Sequence, residues 1–274
     1  MNPAGIVTLT TDFGALDSYV GQMKGAVLAV DPTLRIVDLC HEVPRQSIAS
    51  GAYLLETGYA AFPPGSVHVV VVDPGVGTDR RALAARVGEH FFVAPDNGLL
   101  SRVLDREALH EVRLIENGTF LRPVRSATFE GRDLFAPAAA WLARGTPLDR
   151  LGPVAGEIKR LTGTRPVLKP GVPVSVPVLH ADRFGNLALD VDVECLRAGL
   201  GRVPEPGTDL RLRCAGGEVT GFLRTFGDSG DEEPFLLLNS SGYLEVVVNS
   251  GRADVALGLA PGDRVEIILG QQRG

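Results

Sequence analysis

Cysteine is scarce in this chain. The 274 residues include three cysteines, Cys40, Cys195 and Cys214, which lie far apart in the sequence. An odd number of cysteines at these distances is a poor disulfide framework, and their spacing does not fit a zinc site. We therefore expect three reduced thiols.

Basic residues are also fewer than acidic residues. The chain has 27 Lys and Arg residues against 33 Asp and Glu residues, which gives a formal net charge of -6. Binding to nucleic acid needs a basic surface that contacts phosphate groups, so this balance weighs against a nucleic-acid partner. It is compatible with a cationic small molecule as the ligand.

Long apolar runs are missing as well. No stretch is long and apolar enough to cross a bilayer. The first twelve residues lack the basic region and apolar run of a signal peptide. We therefore predict a cytoplasmic protein with no membrane partner.

Several nucleotide-binding and catalytic motifs do not occur. The predicted first strand is not followed by the glycine pattern of a dinucleotide site, and the glycine-rich segment 73–80 lacks the Lys of a phosphate loop. The chain has no nucleophile elbow of a serine hydrolase, and its five histidines show no metal-ligand spacing. These absences exclude several enzyme classes and favour no other.

The first half of the chain alternates strand-like and helix-like segments. Such alternation predicts an α/β domain with a mostly parallel sheet, which we place at residues 1–165. Asp17 stands where the N-cap of the first helix is expected. The predicted strands are 6–10, 35–40, 67–72, 83–87 and 90–94, and the predicted helices are 18–30, 47–62 and 133–144.

The second half has a different composition. Residues 163–177 include four prolines and no helical period, which is typical of a linker. Short alternating runs separated by glycine-rich turns follow it, and they predict a smaller all-β, barrel-like domain at residues 166–274. The predicted strands are 176–180, 209–213, 235–239, 243–249 and 264–269.

Four charged residues of the first half are candidates for chemistry. Asp12 and Asp73 each follow a predicted strand, and ligands of open α/β sheets collect beyond the carboxyl ends of the strands. Taken singly, each aspartate is better explained as a turn former. Arg80 is close enough in sequence to fold back over the glycine-rich turn and pair with a carboxylate. Glu130 precedes the last predicted helix, which Asp133 is expected to cap, so capping leaves Glu130 unexplained.

Two segments of the second half combine amide and hydroxyl groups with a glycine and an aromatic ring. These are 182–186 and 239–245. An aromatic ring can stack on a purine base while amide groups bond its edge. On composition alone, two tight β-turns are an equally good interpretation.

Taken together, six motifs in order across nearly the whole chain resemble the S-adenosylmethionine hydroxide adenosyltransferases. That family is related to the bacterial fluorinases and chlorinases. No single motif is specific, but six in order are. The motifs span residues 9–14, 72–78, 94–100, 128–137, 182–186 and 239–245.

The resemblance implies a fold, an assembly and a site. It implies an N-terminal α/β domain, a C-terminal β-barrel and a homotrimer whose active sites lie between the N-terminal domain of one subunit and the C-terminal domain of the next. It implies neither a metal nor an organic cofactor. By the same resemblance, Asp12 holds the ribose hydroxyls and Asp17 the methionine end of S-adenosylmethionine. The residues expected at the adenosine are Phe184, Asn186, Ser240, Ser241, Glu245 and the backbone near Val248.

The resemblance also predicts the reaction. Asp73 and Arg80 match two members of the set that positions the attacking water, but Glu130 stands where the family usually has histidine. We predict hydrolysis of S-adenosylmethionine to adenosine and methionine by attack of water at C5′. One alternative is a protein that binds S-adenosylmethionine or adenosine without turnover because Glu130 disables the water site. A generic α/β hydrolase remains an alternative only if the motif match is chance.

Overall fold

The structure is a computed structural model that describes residues 1–123, 126–230 and 232–270. The chain divides into two compact units, Met1–Thr162 and Gly163–Gly274.

The first unit alternates strands and helices along the chain. Its strands are β1 (Ile6–Thr11), β2 (Arg35–Cys40), β3 (Val67–Val71), β4 (Ala82–Val87), β5 (His90–Pro95) and β6 (Leu109–Leu114). Its α-helices are α1 (Tyr19–Val30), α2 (Ile48–Tyr59), α3 (Ser101–Arg106) and α4 (Ala136–Ala143), and a π-helical turn, Gly131–Phe135, leads directly into α4.

These strands form one sheet in the order β2-β1-β3-β5-β4-β6. Strands β2, β1, β3 and β5 pair in parallel, whereas β4 is antiparallel to both of its neighbours. The mostly parallel α/β sheet predicted from the sequence is therefore confirmed.

The apolar run of β3 is explained by burial on both faces of the sheet. Val67, Val69 and Val71 belong to the core beneath α1 and α4, while Val70 and Val72 belong to the core beneath α2 and α3. Because side chains alternate along a strand, a central strand between two helical layers has no solvent face and reads as continuously apolar.

Two capping predictions are wrong. The N-cap of α1 is Ser18 and not Asp17, and the Ser18 hydroxyl accepts a hydrogen bond from the Gln22 side chain at 2.9 Å rather than from a helix amide. Asp133 does not cap the last helix either, because the helical segment begins earlier, at Gly131. The Asp133 carboxylate instead accepts hydrogen bonds from Arg132 and from the Ser126 backbone N–H.

The strands of the second unit are β7 (Val174–Ala181), β8 (Leu187–Asp192), β9 (Leu210–Cys214), β10 (Gly217–Val219), β11 (Pro234–Leu238), β12 (Tyr243–Val248) and β13 (Arg264–Leu269). They form one antiparallel sheet in the order β10-β9-β13-β7-β8-β12-β11. An isolated bridge between Phe222 and Leu236 brings the region after β10 beside β11, so the sheet nearly closes on itself. This confirms the barrel-like all-β prediction.

This unit also contains two short helices that the sequence pattern does not predict, α5 (Val193–Leu200) and α6 (Ala253–Leu257). Helix α5 has clear end signals, because the Asp192 side chain accepts from the Cys195 N–H at 2.8 Å and Gly201 ends the helix with φ +73°. A helix of this length is too short to be predicted from hydrophobic periodicity, but the residues that cap its ends can be recognised in the sequence.

The three cysteines are free thiols, of which Cys195 is buried and the other two are half-buried. Over the residues described, no helix combines the length and apolar character needed to cross a membrane.

A buried polar cluster lies at the amino-terminal end of the sheet in the first unit. His68 Nδ1 is 2.8 Å from the Thr8 hydroxyl, and His68 Nε2 is 3.0 Å from His90 Nδ1. Burial, together with the neighbouring His90, lowers the pKa of His68 to about 3. Burial also lowers the pKa of His90, partly offset by Glu89 and Glu107. No sequence motif gives these two histidines a catalytic role, and their burial within the sheet indicates a structural one.

This cluster predicts a pH-dependent stability. Unfolded His68 takes up a proton near its ordinary pKa of 6.5, whereas folded His68 stays neutral until about pH 3. The stabilisation is therefore present above pH 6.5 and is lost as the pH falls, by about 1.4 kcal/mol per pH unit. Urea unfolding between about pH 7.5 and pH 5 should show this slope in the wild type and a shallower one in His68→Gln. The exposed His110→Gln variant is the control, and an unchanged slope in His68→Gln would contradict the prediction.

Candidate active site

A pocket of about 360 Å³ lies in the first unit, beyond the carboxyl ends of β1 and β3. Asp12 and Asp73 both line it, because their strands are parallel neighbours that end at the same edge of the sheet. The lining residues are Asp12, Phe13, Tyr19, Arg45, Gln46, Val71, Asp73, Val76, Thr128, Phe129, Glu130 and Gly131.

Arg80 joins two carboxylates beside this pocket. Its Nε donates to Asp73 Oδ2 at 2.7 Å, and its Nη2 contacts both Asp73 and Glu130. The side chains of Arg80 and Asp73 are 7% and 5% exposed, whereas that of Glu130 is 25% exposed. The guanidinium carbon also lies 5.1 Å from the centre of the Phe135 ring. The arrangement fixes both carboxylates, and Glu130 is the one that solvent reaches most easily.

The glycine-rich turn after β3 explains how Arg80 returns to Asp73. The Gly75 N–H donates to Asp73 Oδ1 at 3.2 Å, and the Thr78 hydroxyl donates to the Gly75 carbonyl at 2.7 Å. Gly77 has φ +79°, and a Cβ there would meet the Ala127 carbonyl oxygen at 3.0 Å. This position therefore requires glycine for both its backbone angle and its close approach to the 126–130 segment.

Three aromatic rings form one wall of the same pocket. Tyr19 and Phe129 are 5.1 Å apart between ring centres, and Phe13 lies 5.9 Å from each of them. Ring faces attract cations, especially where water is excluded. The sequence analysis did not select these rings as site residues, although Phe13 and Phe129 stand inside two of its motifs.

The segment after β2 completes the pocket. Asp12 Oδ2 accepts a hydrogen bond from the Gln46 backbone N–H at 2.8 Å. Gln46 has φ +60°, a left-handed backbone that non-glycine residues rarely adopt and that is found more often at functional sites. No local sequence pattern marks Gln46 or its neighbour Arg45 as a site residue.

Asp17 is exposed and lines a second, adjoining pocket of about 310 Å³. Three residues line both pockets, which therefore adjoin each other: Asp12, Phe13 and Arg45. The remaining residues of the second pocket are Gly14, Ala15, Leu16, His41, Glu42, Val43 and Pro44.

The second unit holds its predicted site residues around Asp182. Asp182 Oδ1 accepts from the backbone N–H groups of Phe184 and Asn186, and its Oδ2 accepts from the Asn186 side-chain amide at 2.9 Å. Asn186 is buried, whereas Phe184 is 73% exposed. The turn therefore presents an aromatic ring to solvent and fixes an amide beside it.

A second turn of this unit lies near the first. Asn239 Oδ1 accepts from the backbone N–H groups of Ser241 and Tyr243, and its amide donates to Glu245 Oε1 at 3.2 Å. Burial raises the pKa of Glu245, the hydrogen bond from Asn239 lowers it, and the charge of Asp182 raises it further. The structure thus places the two turns within electrostatic reach of one another. Asp182 and Asn239 organise them, although the sequence analysis assigned neither a role.

The other expected contacts of this unit differ in exposure. Ser240 and Ser241 are exposed, whereas Val248 is buried at the end of β12. Only the backbone of Val248 was expected to meet a ligand, and a buried side chain is compatible with that.

One motif of the first unit has a structural explanation. Asp96 is buried. Its Oδ2 accepts a hydrogen bond from Arg81 Nε at 2.8 Å, and its Oδ1 accepts one from the Lys159 backbone N–H at 2.8 Å. It therefore anchors the segment that precedes the second unit and does not reach the pocket.

Two family models match most of this chain. A model of the SAM hydroxide adenosyltransferase N-terminal domain matches residues 7–152, and a model of the C-terminal domain of that family matches residues 176–266. The two matches cover most of the chain, and each falls within one of the two units.

Individual relatives cover nearly the whole chain. A Salinispora tropica protein named (R)-S-adenosyl-L-methionine hydrolase is 38% identical over 276 residues, which span 98% of this chain and 100% of the relative. A fluorinase of Actinoplanes sp. is 29% identical over 279 residues, spanning 89% of this chain and 91% of the fluorinase. The crystal structure of an uncharacterized conserved protein from Thermotoga maritima has a TM-score of 0.87 at 34% identity, and covers 96% of this chain and 99% of that one.

The ion-paired cluster of Asp73, Arg80 and Glu130, which we call the carboxylate bracket, predicts how three variants should differ in stability. Arg80→Met should lower the free energy of unfolding by about 3–5 kcal/mol, because it leaves the buried Asp73 charge without its cation. Adding Asp73→Asn should restore part of that loss. Arg197→Met, which breaks an exposed pair with Glu194, is the control and should cost less than about 1 kcal/mol. Urea unfolding at neutral pH measures all four proteins, and equal stability of Arg80→Met and the wild type would contradict the prediction.

Proposed function

Because the chain belongs to the SAM hydroxide adenosyltransferase family, we propose that it is a hydrolase that splits S-adenosylmethionine into adenosine and methionine. The Salinispora relative, which matches over its full length, is named for the hydrolysis of this compound. The observation that supports the chemistry most directly is the Asp73–Arg80–Glu130 bracket at the edge of the pocket.

The reaction needs a well-placed nucleophile more than it needs an acid. The sulfonium of S-adenosylmethionine is a good leaving group, so methionine departs without protonation when an oxygen attacks C5′. Water is a weak nucleophile, and alignment with the C5′–S bond at about 3–3.5 Å lowers the barrier by holding a near-attack geometry. We assign this alignment to Asp73 and Arg80, with Glu130 as their partner. A carboxylate of the bracket accepts the proton that water loses as the new C–O bond forms.

The rest of the pocket suits a cationic substrate. Asp12, Asp73 and Glu130 provide carboxylates, and the rings of Phe13, Tyr19 and Phe129 line the same pocket. We propose that Asp12 binds the ribose hydroxyls through the oxygen that does not accept from Gln46. Asp17, in the adjoining pocket, then meets the methionine end.

The second unit supplies the contacts to adenosine in this proposal. The exposed Phe184 ring is available to stack on the purine, and the fixed Asn186 amide is available to bond its edge. We assign Ser240, Ser241, Glu245 and the backbone of Val248 to the same part of the ligand.

The experiment is incubation of the purified protein with S-adenosylmethionine in a chelating buffer, followed by chromatography of the nucleosides. Both epimers at sulfur should be supplied separately, because the Salinispora relative is named for the (R) form. Release of adenosine and methionine in equal amounts supports hydrolysis. Tight binding of S-adenosylmethionine with no adenosine above background would establish the alternative, a binding protein without turnover.

Asp73→Asn should lower turnover more than it weakens substrate binding. A group that orients water or accepts its proton acts mainly in the transition state, so its loss lowers kcat and kcat/KM together. General-base contributions are typically about 10²–10⁴-fold, which sets the expected loss. Steady-state kinetics measures it, with Asp79→Asn on the exposed part of the same turn as the control. Wild-type kcat in Asp73→Asn would rule out this role.

From the negative charge of Glu130 we predict that the protein does not use halide as a nucleophile. Two unit like charges about 4 Å apart repel by roughly 4 kcal/mol at an effective dielectric of 20, and Arg80 offsets one of the two carboxylates only. A halide beside the bracket therefore meets net negative charge, whereas neutral water does not.

Chromatography in halide-rich buffer should accordingly show no 5′-chloro- or 5′-fluoroadenosine from the wild type. Glu130→His should keep or raise hydrolysis, and Glu130→Ala should lower it. Halogenated nucleoside from the wild type would contradict the charge argument, and equal hydrolysis by all three proteins would show that Glu130 takes no part.

We also propose a homotrimer in the cytoplasm, with each site shared between the first unit of one subunit and the second unit of the next. This proposal is supported by the separation of the candidate site residues between the two units. The first unit holds the carboxylate bracket, and the second holds the candidate adenosine contacts. Closed rings of this kind use heterologous interfaces, in which different surfaces of each subunit meet.

Complementation tests this assembly. Asp73→Asn and Asn186→Ala should each be nearly inactive alone. Co-expressed in equal amounts, they should regain about one quarter of the wild-type activity, because random mixing gives that share of sites with both units intact. Light scattering of the same samples gives the subunit number. A mixture no more active than its components would contradict shared sites.

A further inference from the structure

Arg45 lies at the junction of the two adjoining pockets of the first unit. It lines both the pocket of about 360 Å³ that contains Asp73 and the pocket of about 310 Å³ that contains Asp17. Arg45 falls in none of the six sequence motifs, so no motif assigns it a role.

The backbone that carries Arg45 is held in place. The Val43 N–H donates to the Thr11 carbonyl at 3.3 Å, the Gln46 N–H donates to Asp12 at 2.8 Å, and the Ser47 N–H donates to the Pro44 carbonyl at 3.0 Å. Hydrogen bonds on both sides of position 45 therefore fix the origin of this side chain relative to Asp12.

The guanidinium itself is available to a ligand. Among the residues described, no carboxylate lies within ion-pair distance of Arg45, whereas Arg80 in the same pocket contacts two. An arginine carries five donors in a planar fork that matches a carboxylate in two parallel hydrogen bonds.

The charges of the second pocket fit one end of an amino acid. Asp17 and Glu42 provide negative charge, and Arg45 is the cationic side chain among the described residues that line it, apart from the titratable His41. A free amino acid group is a zwitterion, with an ammonium that matches the carboxylates and a carboxylate that matches Arg45. The pocket therefore has complementary partners for both ends of such a group.

We propose that Arg45 binds the α-carboxylate of the methionine part of S-adenosylmethionine and so selects substrates that carry it. The inference rests on the proposed function and extends it to a residue without an assigned role. With C5′ facing the bracket of Asp73 and Arg80, the methionine chain passes Asp12 and Phe13, which the two pockets share, and its carboxylate reaches Arg45.

The test compares two substrates that differ by this group alone. S-adenosylmethionine carries the carboxylate, and decarboxylated S-adenosylmethionine keeps the sulfonium and the amine but lacks it. Charge-assisted hydrogen bonds are worth about 1.5–3 kcal/mol, so Arg45→Met should lower kcat/KM for S-adenosylmethionine about 10–100-fold, mainly through KM. The same variant should leave kcat/KM for the decarboxylated substrate within about twofold of the wild type.

Two further variants sharpen the comparison. Arg45→Lys keeps the charge but loses the planar fork, so its loss should be intermediate. Arg35→Met removes an exposed arginine at the other end of β2 and controls for the change in net charge. It should leave both substrates unaffected. Equal losses for the two substrates in Arg45→Met, or no loss for either, would overturn the inference.

Failure of the proposed function is separable from failure of this inference. If the wild type releases no adenosine, hydrolysis is excluded, and calorimetry then decides the role of Arg45. S-adenosylhomocysteine has the amino acid group and 5′-methylthioadenosine does not. Weaker binding of S-adenosylhomocysteine alone in Arg45→Met supports the inference, and equal effects on both ligands overturn it.

Discussion

One guanidinium shared by two carboxylates is the constraint on which the rest of the first unit depends. Asp73 and Arg80 are nearly buried, so neither charge is tolerated without the other. The glycine-rich turn, the stacked ring of Phe135 and the position of Glu130 are all arranged around this contact. The bracket holds two carboxylates against one guanidinium, so its formal charge is net negative.

The sheet topology determines where this bracket lies relative to Asp12. Strands β1 and β3 are parallel neighbours, so Asp12 and Asp73 leave the sheet at one edge. The segment after β2 then returns across the same edge, where Asp12 bonds the Gln46 backbone. Residues that follow β1, β2 and β3 therefore line this pocket, and the crevice beyond the carboxyl ends of the strands is where ligands of open α/β sheets collect.

Sequence reasoning could predict the two sheets and the acids, because continuous or alternating apolar runs and residues at strand ends are local signals. It predicted neither α5 nor β8. Helix α5 is too short for hydrophobic periodicity to reveal it, and β8 is buried along its whole length but includes the polar Asp190 and Asp192, which interrupt its apolar pattern. It missed the pocket roles open to Gln46 and Arg45 for another reason. A left-handed backbone at Gln46 and an arginine without a carboxylate partner depend on contacts between distant segments, which no local pattern records.

At position 130, where the family resemblance leads us to expect histidine, this chain has a glutamate. Glu130 is the N-cap of the π-helical turn, but its side chain makes no capping hydrogen bond. The segment is fixed instead by buried Asp133, which binds Arg132 and the Ser126 N–H. π-helical turns often occur at functional sites, where the extra residue redirects a side chain. Because Asp133 holds the turn, the backbone does not rely on the side chain at 130, which instead contacts Arg80 and adds a negative charge beside the pocket.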